Sequence, residues 1–333
     1  MYKKSNLLAI AGWATVLTVA VLLWVNRFDI NDYFALKNYS PSDNISELAN
    51  NSGMNQKGQD LFYIGKPELL SGPEFNKSCT TAEQTKVLGC YVSIGSNKIK
   101  SIAGIIPYNI YIYDINKPEL EGIQEVTAAH EMLHAAYDRL SSAEKTKINQ
   151  QLLDYYNNSA NSSLKATIES YKAKDSTVVP NELHSILGTE IRSLPIDLET
   201  YYRRYFDNRN KVVDYYEAYE KVFSDKNAEI DRLAGELRLR KGQISQLETD
   251  LGIKNQQITR IKNDMDRYAN NGDIALYNSL VPKYNSLAVE FNKVVQQLRD
   301  LIDSYNRLVE QHNKLILVQQ DLVNSIDSNY KPL

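Results

Sequence analysis

His130 and His134 stand four residues apart in AAHEMLHAAY (128–137), with Glu131 just after the first, in a chain that has only four histidines. On a helix, residues four apart share a face, so the two imidazoles can offer nitrogens to one cation. Glu131 is rotated by one residue, near enough to hold a water on that cation without binding the cation itself. This set suits hydrolysis: a zinc ion brings the pKa of its water toward neutrality, and the carboxylate takes the proton as the water attacks. Met132, Leu133 and Ala135 supply dry packing around the polar groups.

Such chemistry needs the segment to be helical, and its periodicity meets that need. Ile123, Val126, Ala129, Leu133 and Ala136 recur at threes and fours within 119–140, which predicts an amphipathic helix. Ahead of it, between Leu61 and Tyr113, the runs GCYVSIG and YNIYIYDI predict a small sheet. Helical patterns follow over 142–157, 161–173 and 181–192, the last opened by Pro180 and Asn181.

A catalytic zinc needs a third protein ligand and an open fourth position. The candidates lie in PNELHSILGTE (180–190), which offers Glu182, His184 and Glu190. Leu183, Ile186, Leu187 and Ile191 form the apolar stripe of this segment; Glu190 falls within it, Glu182 borders it and His184 lies off its other side. A carboxylate in an apolar stripe must be paired or metal-bound, and the stripe alone does not choose among the three.

The HExxH sequence, followed downstream by a helix that opens with Asn-Glu and continues as NE..S..G, resembles the zincin metallopeptidases of the gluzincin kind. The resemblance rests on two short segments. It implies a zincin-like catalytic domain in which His130, His134 and Glu182 hold Zn2+, Glu131 acts as general base, and a peptide or protein is the substrate. It also implies an edge strand ahead of the active-site helix, able to hold a peptide by strand addition. The Gly-His continuation of metzincins is absent after His134. The Asp usually found four residues after the ligand Glu is Ile186 here, so the group that orients a ligating histidine must come from elsewhere. LETYYRRYF (198–206) offers tyrosines and arginines near the expected site, but it reads mainly as an aromatic packing cluster.

Lys3 and Lys4 precede an uncharged run from Leu7 to Val25, whose 19 residues span about 28 Å as a helix, close to the hydrocarbon thickness of a bilayer. The run is longer than a signal-peptide core and lacks an A-x-A-like cleavage site, so 1–27 is expected to be an uncleaved transmembrane anchor, with residues 7–25 in the lipid bilayer. The lysines favour a cytoplasmic N-terminus and an extracytoplasmic remainder, in a single-pass cell-membrane protein. Cys79 and Cys90, the only cysteines, are expected to bridge in such an oxidising compartment. Lys and Arg are interleaved with Asp and Glu, and the net charge is -3, so there is no basic face for nucleic acid.

Residues 28–59, rich in Asn, Ser and Gly, read as a flexible linker, and 60–205 as the metallopeptidase domain. Over 206–330 the heptads predict an antiparallel coiled-coil hairpin with arms of about 75 Å. Phe223 through Met265 recur every seventh residue on one arm and Tyr277 through His312 on the other, about the turn ANNGD (269–273); Arg240 and Lys254 interrupt the first seam. A third apolar column, from Val281 to Ile316, widens the second arm and marks a face for a partner or for self-association. The expected fold class is α+β, mostly α.

Overall fold

The computed structural model describes residues 2–79, 88–94 and 107–329, and of residues 2–12 the backbone alone. It is mostly helical, at 77%, with a three-stranded sheet and a long C-terminal helical pair, so the class is α+β, mostly α. In chain order the elements are α1 (Tyr2–Val25), α2 (Arg27–Leu36), α3 (Asp43–Asn51), α4 (Gln56–Ile64), β1 (Glu68–Leu70), α5 (Gly72–Ser78), β2 (Gly89–Ser93), β3 (Tyr108–Tyr113), α6 (Ile123–Asp138), α7 (Ser142–Asn158), α8 (Ser162–Lys174), α9 (Val179–Glu190), α10 (Ile196–Tyr202), α11 (Asn210–Asn271) and α12 (Ile274–Ser325). Two units divide the chain: 1–222 with 323–333, and 223–322.

In the first unit α6 forms the centre. Ala128, Ala129, Met132 and Leu133 are fully buried, and the helix packs against α9, α4, α3 and the sheet. In the sheet, β3 lies between β1, which it pairs in parallel, and β2, which it pairs antiparallel. The strand ahead of α6 is therefore central, and the edge expected from the resemblance belongs to β2. Tyr108, Ile110 and Ile112 point inward and alternate with half-exposed Asn109, Tyr111 and Tyr113, the period-two signature of a strand with one buried face. A disulfide joins Cys79, at the end of α5, to Cys90 in β2.

Two boundaries differ from the sequence reading. The linker expected over 28–59 is folded for much of its length. Ser42 caps α3 by accepting from Ile45 N–H, Asn55 caps α4 by accepting from Gly58 N–H, and Ile45, Leu48, Ala49 and Met54 are buried. Short capped helices place few apolar residues in a polar segment, so composition conceals them. Likewise the first unit extends past 205, because Val212 and Val213, in the first turn of α11, are fully buried.

At the amino end, α2 bends away from α1. Among the described residues no single helix is long and apolar enough to cross a membrane; Trp13–Val25 and Arg27–Leu36, bent by 59°, meet that test together. The side chains of 7–12 in the expected span lie outside the described residues. Those of Leu17, Leu22 and Trp24 are more than half exposed.

Within the second unit the arms run antiparallel. The two charges that interrupt the first seam reach across it: Arg240 donates to the Ser304 carbonyl at 3.1 Å, and Lys254 meets Glu290 at 2.9 Å. Both pairs are equidistant in sequence from Gly272, whose φ of 76° turns the chain. Polar groups in an apolar seam fix register, because a slip would leave them facing hydrocarbon. Leu233, Ile261, Met265, Val294 and Leu308 are buried between the arms, while the column from Val281 to Ile316 stays half-buried to exposed.

Arg209 ties the end of α9 to the start of α11 within the first unit. It is buried, donates to the carbonyls of Ile191 at 2.6 Å and Arg192 at 2.9 Å, and pairs with Glu199. Truncating a buried charge leaves its acceptors unpaired. Arg209→Ala should therefore cost about 3–5 kcal/mol in urea unfolding, whereas an exposed change such as Leu239→Gln should leave the midpoint of the first unit unmoved.

Candidate metal centre

Crossing of α6 and α9 builds the site, and Gly188 permits the crossing. A Cβ at Gly188 would lie 2.4 Å from Leu133 Cδ1 and 2.8 Å from Tyr202 Cε1, so only glycine lets the two helices approach this closely. His130 and His134 then project from one face of α6 toward Glu182 in the first turn of α9. Glu182 Oε2 is 3.6 Å from His130 Nε2, and Glu182 Oε1 is 3.7 Å from His134 Nε2. One ligand atom from each of the three residues lies within 4.8 Å of the others, so they form a possible metal-binding triad.

These spacings bear on whether an ion fits. They exceed the roughly 2.7–3.2 Å of a hydrogen bond but come near the ~3.4 Å between two ligands that share a tetrahedral ion at ~2.0–2.2 Å. Glu182 is buried, and its Oε2 has no hydrogen-bond partner. A buried carboxylate oxygen without a partner is costly, and a cation between it and the imidazoles removes that cost. The residues fit a divalent cation. In the protein alone, burial pushes the Glu182 carboxyl up, but the charges of His134 and His130 and a hydrogen bond involving Tyr171 outweigh it and hold the pKa below the usual value.

The remaining candidates from 180–190 are placed elsewhere. His184 is fully buried among Tyr137, Tyr201 and Tyr202, with Nε2 2.8 Å from the Tyr201 hydroxyl. Burial, followed by the charges of His134 and His130, pushes its pKa down to about 3, so the ring stays neutral. Glu190 ends α9 about 12 Å along the axis from Glu182. It lies near Tyr216 and Glu220 of α11, and burial, partly offset by a hydrogen bond involving Tyr216, pushes it up to about 7.

Around the triad, each neighbour has a distinct physical task. Ser185 Oγ lies 3.2 Å from His134 Nδ1. The tautomer that frees Nε2 for a cation carries its proton on Nδ1 and donates it to Ser185, so a hydroxyl stands where a carboxylate was sought. Glu131 is buried and lies against β2: a Cβ at Gly89 would come within 2.8 Å of Glu131 Oε1 and 2.4 Å of Thr127 Cγ2. Tyr91 of the same strand has its ring 6.3 Å from that of His134 and donates to Asp138 at 2.9 Å. Sequence reasoning missed Tyr171, which approaches Glu182 from α8; no motif marks it. The cluster in 198–206 instead supports α9, with Tyr202 donating to the His184 carbonyl at 2.7 Å.

Comparison with known proteins adds no relative: no family model, curated protein or solved structure matches the chain.

Metal analysis of single variants tests this arrangement. Glu182→Ala should lose bound metal, and Glu190→Gln should keep it. Ser185→Ala should weaken metal affinity by about 10–100-fold, as measured by chelator competition. Glu190 also predicts a pH effect. Its folded pKa is raised, so the folded state holds the proton longer, and stability should fall as pH rises from 4.5 through about 7. Unfolding of Glu190→Gln across that range should lack this component.

Proposed function

We propose that the chain is a membrane-anchored zinc metallopeptidase that cleaves peptide bonds outside the cytoplasm. The observation that carries this reading is the meeting of Glu182 with both imidazoles of the HExxH helix, at 3.6 and 3.7 Å, while Glu131 stands beside them on the same helix. Two imidazole nitrogens and one carboxylate oxygen form a donor set that zinc accepts in hydrolytic sites with an open position. Zinc held there supplies a Lewis acid for the scissile carbonyl and lowers the pKa of a water.

His130, His134 and Glu182 anchor the ion, and Ser185 fixes the ring of His134. In this reading Glu131 would take a proton from water and pass it to the departing amine. Gly89 lets β2 run close to Glu131, and as an edge strand among the described residues β2 has backbone groups to pair with an extended peptide. In this reading the unit of 1–222 with 323–333 carries the zincin-like catalytic domain behind the anchor, and 223–322 is a helical appendage. The disulfide and the exposed apolar run from Trp13 to Val25 support an anchored, extracytoplasmic placement.

The size of the helical pair supports a second reading, an anchored scaffold in which the metal only stabilises the fold; unit 223–322 presents exposed Val289, Ile302 and Leu317 along one arm. Glu131 separates the two, since a purely structural site has no use for a carboxylate beside an open position. Glu131→Gln should retain stoichiometric zinc and the wild-type unfolding midpoint while lowering cleavage of a casein-derived peptide library by at least about 100-fold. Equal cleavage by wild type and variant would remove the peptidase reading.

A further inference from the structure

A cavity of about 680 Å³ lies between α2 and the body of the first unit, on the side where α1 ends. Its apolar wall is formed by Val25, Phe28, Leu36, Leu61, Ala136 and Leu140. Charged groups of both signs line the rest. Three of them are already committed: Asp32 pairs with Arg139 at 2.6 Å, and Arg204 pairs with Glu144, outside the cavity, at 3.3 Å. Lys37, Lys57, Asp29 and Asp60 also face the cavity, yet none of the four is in an ion pair among the described residues. Lys57 has only the Tyr205 ring, at 5.8 Å, and Asp60 accepts one bond from Gln56.

Unpaired ammonium and carboxylate groups around one apolar-walled space match a ligand that carries both charges and a hydrocarbon chain. A phosphate suits the lysines, and a primary ammonium, with N–H groups to donate, suits the carboxylates. The place favours a lipid source. The cavity opens where an exposed apolar helix ends, beside Trp24, Tyr33 and Phe34, which are all more than half exposed, as side chains at a membrane interface are.

We propose that this cavity binds the headgroup of a phosphoethanolamine-type phospholipid from the surrounding bilayer, its phosphate held by Lys37 and Lys57 and its ammonium by Asp29 and Asp60. The acyl chains then lie along Val25 and Phe28. This inference rests on the reading of residues 7–25 as a membrane segment and is independent of the peptidase reading.

The test reconstitutes the full chain in vesicles containing equal amounts of phosphatidylethanolamine and phosphatidylglycerol. Flotation reports membrane association, and native mass spectrometry of the released chain reports retained lipid. The expected result is one phosphatidylethanolamine per chain, with retention reduced at least about tenfold in the exposed double variant Asp29→Ala, Lys57→Ala, which still floats and keeps its helical circular dichroism. Preference for phosphatidylglycerol, equal retention by the double variant, or no retained lipid on a chain that floats would each overturn the proposal alone. Displacement by soluble glycerophosphoethanolamine at matched concentration would also overturn it, making the ligand a soluble phosphodiester. A chain that does not float overturns the membrane reading and this proposal together.

Discussion

The contact between Leu133 and Gly188 is the constraint on which the rest of the site depends. Two helices that carry ordinary side chains at their crossing stand 8–10 Å apart or more, to the measure of those side chains. A glycine removes that spacer, and α9 comes near enough for Glu182 to reach the imidazoles of α6. Everything chemical about the centre is downstream of this approach. Tyr202 packs on the same glycine and donates to the carbonyl of His184, so the tyrosine cluster after α9 holds the crossing in place. Arg209 completes the clamp from the far end, taking up the carbonyls of Ile191 and Arg192 just past the end of α9 and that of Leu187 in its last turn.

Environment then separates three side chains that the sequence places within nine residues. Glu182 faces two imidazoles and stays ionised despite burial. His184, two residues after Glu182 and so on the opposite side of the helix, is enclosed by aromatic rings and stays neutral. Glu190 is desolvated beside a second carboxylate, and burial, only partly offset by the Tyr216 hydrogen bond, makes it hold its proton toward neutral pH. The same helix thus carries a charged carboxylate, a neutral packing group and a proton-holding acid. The differences come from what each side chain touches and not from residue type.

Polar groups set geometry elsewhere in the chain as well. Arg240 and Lys254, which break the apolar seam of the hairpin, align its arms about Gly272. Their net stabilising effect is small, since exposed or half-exposed pairs in water gain little. They specify pairing: an apolar seam alone is nearly indifferent to a shift of one heptad.

Local geometry made part of this protein legible in the sequence. The four-residue spacing of His130 and His134, the helical period through Leu133 and Ala136, and the heptads about 269–273 depend only on the pitch of a helix, which neighbouring residues fix among themselves. Tertiary structure decided the rest. Whether Glu182, Glu190 or His184 completes the triad depends on which face of α9 meets α6, a matter of side-chain volume at Gly188 and Leu133. That Ser185 orients His134, that Tyr171 reaches Glu182, and that β3 is flanked on both sides are pairings between residues distant in sequence, and no period or spacing encodes them. The fold of 28–59 is hidden for the same reason: Ile45, Leu48 and Met54 are too few to announce a core, and they join one only because α4 and α6 supply its other walls.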